Sequence, residues 1–153
     1  ASQPSDFTQG SFRPFIGDDA ADPQKVETLL LCSGRVTWDL MVERGKREDG
    51  ERFAIARIEQ LYPRPVAEIS AEIAKYPNLK AIRWVQDEPA NMGPWPHYQL
   101  NVWPTLDTAI TVERVSRGQS ASPSVGTTKR HVEEQKTLMS EAFAAPDRAR
   151  NDY

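Results

Sequence analysis

Cysteine is almost missing from this chain: Cys32 is the only one in 153 residues, which excludes an internal disulfide and a multi-thiolate zinc centre. A reducing, cytoplasmic setting is the expectation for such a sequence. Histidine is nearly as scarce, and neither His97 nor His131 has a second histidine at the helical spacing that a metal site uses. No apolar run resembles a membrane span. Positive charge is not in excess either. With a net charge of −3 and a pI near 5.5 there is no general electrostatic hold on phosphate backbones, and nucleic acid is not an expected partner. Neither G-x-G-x-x-G nor a Walker sequence occurs, so no nucleotide fingerprint is met. The opening "ASQPSDFTQG" shows no basic segment followed by an apolar one, hence no signal-peptide pattern. It also lacks an initiating methionine, as expected of a fragment or a processed chain.

What is present describes one globular domain: 39% hydrophobic residues, 27% charged residues and four tryptophans. Residues 1–25, rich in Ser, Pro, Gly and Asp, read as an arm or linker, residues 26–145 as the folded domain, and residues 146–153 as a flexible tail. "TLLLC" (28–32) is a continuous apolar run ended by Ser33-Gly34, as a strand buried on both faces requires. A helix is expected next, over "RVTWDLMVERGKRE", with Ser33 as its N-cap. Further strands are expected at 52–58, 79–86 and 109–115. Two prolines precede a helix whose Val66, Ile69, Ile73 and Tyr76 recur at spacings of three and four. A last helix over 129–143 offers Val132, Leu138, Met139 and Phe143 to the core. Strands alternating with helices imply right-handed crossovers and an α/β fold, a mainly parallel sheet with helices on both faces.

Few residues look like chemistry. Cys32 ends an apolar run with no histidine near in sequence, the setting of an inert buried thiol. Asp87 and Glu88 are adjacent, so in an extended segment their carboxylates point apart and cannot share one substrate bond. The unusual stretch is "WVQDEPANMGPWP" (84–96). Its three prolines stiffen the backbone, Gly93 permits a conformation closed to other residues, and the tryptophans supply flat surface. That combination builds a contact surface, although loops after parallel strands are also where such folds place ligands.

Four segments in order carry a family likeness: "LLLCSGRVTWDLMVER", "AIARIEQLYPRPVAEI", "WVQDEPANMGPWP" and "RVSRGQSASPSVGTTKRHVEEQ". Over residues 6–143 the chain resembles the carboxy-terminal domain of thiamine-diphosphate-dependent 2-oxoglutarate dehydrogenases, the decarboxylating component, and is most similar to the actinobacterial multifunctional 2-oxoglutarate metabolism enzymes. The resemblance implies a transketolase carboxy-terminal architecture. It also implies a homodimeric parent enzyme that decarboxylates 2-oxoglutarate and passes the succinyl group to a lipoyl succinyltransferase component in the tricarboxylic acid cycle. Thiamine diphosphate, magnesium and the catalytic histidines would belong to the preceding domains. The Gly-Asp-Gly stretch that the family's diphosphate site needs is absent here, so this chain alone is expected to be inactive and to serve assembly or allosteric regulation.

The resemblance further implies that Asp87, Glu88, Asn91 and Trp95 lie at an interface with those domains or the dimer mate. Some relatives bind an adenine-containing effector, acetyl-CoA or AMP, partly through this domain. Gln60 matches the glutamine of that site, with Arg13 and Arg64 as the nearby cations. The chain departs from the pattern at Ala67 and Glu68, where basic residues are expected. Two rival readings are a stand-alone acyl-CoA or adenine-nucleotide binding domain, using Ser33-Gly34 with Arg35, Arg64 and Arg117, and a small oxidoreductase with Cys32 as its reactive group.

Overall fold

The computed structural model describes residue 8 and residues 10–146. The tail expected at 146–153 therefore lies, past its first residue, outside the described residues, as does most of the first decade of the expected arm. The sheet has five strands: β1 (Phe15–Ile16), β2 (Thr28–Cys32), β3 (Phe53–Ile58), β4 (Ala81–Pro89) and β5 (Val112–Arg117), in the order β1-β3-β2-β4-β5. Four strands are parallel and β1 alone is antiparallel. The helices are α1 (Val36–Lys46), α2 (Val66–Ala74), α3 (Trp95–Asn101) and α4 (Thr128–Ala142).

The continuous apolar run of β2 has a simple cause. Every one of its five residues is buried, since β3 and β4 flank it and helices cover both faces. One face packs Leu29, Leu31, Ile82 and Trp84 under α2 and α3, with Ile69, Tyr98 and Val102. The other packs Leu30, Ile55, Val85 and Val115 under α1 and α4, with Val36, Leu40, Leu138 and Phe143. The first face is aromatic: the Trp84 ring stacks on Tyr98 at 5.3 Å, and Trp103 touches both. Each such fully buried large side chain contributes roughly 1.5–3 kcal/mol.

Several elements depart from their sequence expectations. Arg35, not Ser33, is the N-cap of α1, after Gly34 at φ +72°, and it makes no side-chain cap bond, since a guanidinium has no acceptor for a backbone N–H. Strand β4 runs from Ala81 to Pro89, through the Asp-Glu pair, rather than over 79–86. The segment after Pro94, too proline-broken to assign from sequence, forms α3 with Tyr98 and Val102 buried, and Pro96 sits in its first turn where no N–H is needed. Strand β5 begins at Val112 rather than 109. Val132 is 45% exposed and is not a core contact, while Leu138 and Phe143 are buried. Within the expected arm, Phe15 and Ile16 pair with Ile58 and Arg57, so these two residues belong to the sheet.

Candidate functional site: the carboxyl edge of the sheet

Strands β2 to β5 end on one side of the molecule, and there the chain turns from β4 into α3. Gln86 organises that turn. Its side chain is buried; its amide donates to the carbonyls of Pro89 at 3.1 Å and Met92 at 2.8 Å, and its Oε1 accepts from Trp84 Nε1 at 2.8 Å and Trp95 N at 3.1 Å. One glutamine thus satisfies a loop of backbone groups that proline and glycine leave without ladder partners. Gly93 has φ +67°, and a Cβ there would press on Glu88 and the Gln86 amide at 3.1–3.2 Å. Neither constraint is readable from the sequence beyond the glycine itself.

The same turn is tied to the loop after β5. Asn91 Nδ2 donates to Ser120 O at 3.0 Å, and Ser120 N donates back to Asn91 Oδ1 at 3.1 Å. Behind this clasp Arg117 lies 4.0 Å from Asp87, 3.7 Å from Glu134 and 3.2 Å from Gln135 Oε1, and Gln135 in turn donates to Asp39. Asp39 also pairs with Arg35 at 3.2 Å. Charges here are balanced against one another.

Of the four interface candidates, Glu88 and Asn91 are exposed, Asp87 is half-buried behind Arg117, and Trp95 is half-buried, packed on the aromatic core with Arg114 over its ring at 5.7 Å. The effector candidates fall together at another corner. Pro14 O accepts from Glu59 N and Gln60 N, which brings Arg13 beside Gln60, and Gln60 Nε2 donates to Pro63 O at 3.0 Å, next to Arg64. Ala67 and Glu68 are exposed on the first turn of α2.

Cys32 is fully buried, with its sulfur 3.2 Å from Thr37 Oγ1 and 3.5 Å from Ala56 O. Burial pushes its thiol up to about 12, outweighing the bond from Thr37. That is the opposite of an activated nucleophile. His97 is exposed and bonded to Asn101, and among the described residues no three His, Cys, Asp or Glu side chains converge as metal ligands. No described helix is long and apolar enough to cross a membrane.

Comparison with known proteins places this geometry. The family model for the 2-oxoglutarate dehydrogenase C-terminal region matches residues 1–143. The chain is 41% identical over 142 residues to the 2-oxoglutarate dehydrogenase E1 component of Azotobacter vinelandii, covering 90% of this chain and 15% of that protein. It is 41% identical over 147 residues to the E1/E2 component of Corynebacterium glutamicum, covering 95% and 12%. To the multifunctional 2-oxoglutarate metabolism enzyme of Mycobacterium sp. (strain KMS) it is 39% identical over 145 residues, covering 91% and 11%. The chain thus spans 11–15% of the length of these three relatives. Among solved structures, a 2-oxoglutarate:ferredoxin oxidoreductase from Magnetococcus marinus superposes with a TM-score of 0.50 at 15% identity, covering 84% of this chain and 20% of that one, a likeness of fold alone.

Proposed function

Because the chain belongs to the 2-oxoglutarate dehydrogenase C-terminal family, we propose that it serves as the assembly and regulatory domain of a thiamine-diphosphate-dependent 2-oxoglutarate dehydrogenase and is not catalytic by itself. The observation that carries this reading is the state of the carboxyl edge. Where α/β folds place their ligands, Gln86 closes the turn after β4, Asn91 ties that turn to the loop after β5, and Arg117 and Gln135 tie β5 to α4 and α1, while the Cys32 thiol is pushed up to about 12 by burial. A surface stiffened in this way suits docking, because little conformational freedom is left to lose on association.

In this reading thiamine diphosphate and magnesium are bound outside the chain. Its residues do not fit them: Gly-Asp-Gly is absent, and no acidic or histidine cluster converges among the described residues. Glu88, Asn91 and the outer face of Trp95 meet the preceding domains of the enzyme or its dimer mate, with Asp87 behind them positioned by Arg117. The succinyl group made by the whole enzyme passes to a lipoyl succinyltransferase component. The corner of Arg13, Gln60 and Arg64 is the place for an acetyl-CoA or AMP effector; Glu68 beside it weakens the hold on phosphate.

The interface is tested on Glu88, because it is exposed and its loss costs the domain little, whereas Trp95 also belongs to the core. In the full-length enzyme Glu88→Arg is expected to lower the sedimentation coefficient toward that of separated subunits while the melting temperature of this chain stays within about 2 °C, as for a surface substitution. Unchanged assembly combined with lost turnover would instead make the turn part of an active site.

A further inference from the structure

The segment Pro14–Asp18 crosses the β3 edge against the direction of that strand. Three amides of β3 and the turn after it find their acceptors in this segment. Ile55 N donates to Asp18 Oδ2 at 2.9 Å, and Glu59 N and Gln60 N both donate to Pro14 O, at 2.9 and 3.0 Å. Between these two ends the ladder has only Phe15 and Ile16, both half-buried. Past Asp18 the chain is anchored anew, since Asp22 O accepts from Lys25 N, Gln24 O accepts from Asn78, and Val26 is fully buried.

The two ends are held by different means. Asp18 is the one buried residue of the five, and its carboxylate meets Arg44 as well as the Ile55 N–H. Its own N–H donates to Glu72 Oε1 at 3.1 Å, and Glu72 in turn accepts from Tyr76 Oη at 2.7 Å and Lys75 Nζ at 2.6 Å. With both carboxylates nearly out of water, these charge-assisted bonds are of the strong kind. At the other end one carbonyl receives both donors, and Arg13 beside it is exposed. Every residue of β2 is buried, whereas this segment buries little apolar surface. Such a segment opens locally before the domain unfolds. What opposes opening is concentrated at Asp18.

The corner of Arg13, Gln60 and Arg64 depends on the same segment, because the bonds to Pro14 O are what bring Arg13 beside Gln60. From Pro14 to Asp18 is about 13 Å of extended chain. We propose that Pro14–Asp18 is a strap with two states, latched by Asp18 against Arg44, the Ile55 N–H and Glu72, and that its opening dismantles the Arg13–Gln60–Arg64 corner from a distance. Coupling between two places requires an element with two arrangements that both places bias, and the strap is that element. The inference concerns the strap and holds whatever ligand the corner takes.

Amide hydrogen exchange of this chain reads the strap directly, since the acceptors of Ile55, Glu59 and Gln60 are strap atoms. After correction for intrinsic exchange, the three rates should agree within about threefold and exceed those of Leu30 and Leu31 in β2 by about tenfold or more. Asp18→Asn, which keeps the shape and removes the charge, should raise all three together by about tenfold, the ratio that loss of one charge-assisted bond imposes. The reverse direction is tested with Arg13→Cys and Arg64→Cys joined by a short bismaleimide, which passes over the fully buried Cys32. Tying the corner shut should slow exchange at Ile55 by about tenfold, because coupling is reciprocal. Three results would overturn the proposal. The first, read in the parent chain without any variant, is exchange of the three amides no faster than that of Leu30 and Leu31. The second is faster exchange at Ile55 in Asp18→Asn with Glu59 and Gln60 unmoved, and the third is a cross-linked corner that leaves Ile55 unchanged.

Discussion

The two edges of the sheet are finished in opposite ways. At the β3 edge the covering strand β1 has only two residues, yet the edge is sealed, because a side chain continues where the strand stops: Asp18 Oδ2 accepts from Ile55 N at 2.9 Å and from Arg44. Asp18 is held in turn by Glu72, which accepts from Asp18 N at 3.1 Å, Tyr76 Oη at 2.7 Å and Lys75 Nζ at 2.6 Å. Gly17 passes so close to the Glu72 carboxylate that a Cβ there would displace it. At the other edge β5 has six residues and, among the described residues, no strand beyond it. Among the described residues one edge is closed by buried charge, which guards a sheet against promiscuous pairing, and the other carries no further strand.

Breaking the sealed edge should have the largest effect. Asp18→Ala strands the N–H of Ile55 and leaves Arg44, only 21% exposed, without its carboxylate. An unsatisfied buried donor together with an unpaired, largely buried cation costs about 3 kcal/mol. Urea unfolding should show that loss in the midpoint. A loss under about 1 kcal/mol, the scale of a surface pair, would mean that β1 alone seals the edge.

Cys32 measures how far such damage spreads. It ends the central strand, paired with Arg57 on one side and Val85 on the other. With the thiol pushed up to about 12 by burial, native alkylation requires opening of the strand. Asp18→Ala should raise the rate of iodoacetamide labelling, read by mass spectrometry, by about a hundredfold, the ratio that 3 kcal/mol imposes on an opening equilibrium. Labelling unchanged by Asp18→Ala would show that the edge opens without the centre.

The sealed edge also carries a pH signature. Burial pushes the Glu72 carboxyl upward, but the bonds from Lys75, Tyr76 and the Asp18 N–H outweigh it and leave it below its ordinary 4.5. A carboxyl lowered by folding adds stability that is complete above its unfolded value and is lost as pH falls through that value toward the folded one. Stability should therefore decline below about pH 4.5, and Glu72→Gln, less stable at neutral pH, should decline less over that range. Parallel acid curves for the two proteins would remove Glu72 from the account.

These contrasts explain what could be read from the sequence. β2 was legible because burial on both faces leaves four consecutive apolar letters after Thr28, and α2 because Val66, Ile69 and Ile73 keep helical spacing. β1 was hidden: two residues carry no periodicity, and what fixes them is Asp18, Arg44 and Glu72, spread over 54 positions. Buried charge hid other parts as well. Arg83 is 2% exposed, bonded to Glu113 and to the carbonyls of Ala142 and Ala144 at the end of α4, yet in sequence it is an arginine in a strand. At the candidate site the stiffness of 84–96 was visible in its prolines and Gly93, whereas the role of Gln86 was not, because a glutamine has no pattern that tells a buried hub from a surface residue.

The smallest effect is expected at the open edge, and it is the one that most directly tests the comparison. Arg114, half-exposed on β5, leans over the Trp95 ring at 5.7 Å. A cation over a ring at such a site is worth about 0.5–1 kcal/mol. Arg114→Ala gives up that contact but uncovers no buried donor or acceptor, and alanine keeps the strand backbone intact. The unfolding midpoint should move by no more than about 1 kcal/mol, and Cys32 labelling should match that of the parent chain, in contrast to Asp18→Ala. A loss near 3 kcal/mol, the size expected when buried groups lose their partners, would show that Arg114 seals β5 as Asp18 seals β3. The two edges would then be equivalent.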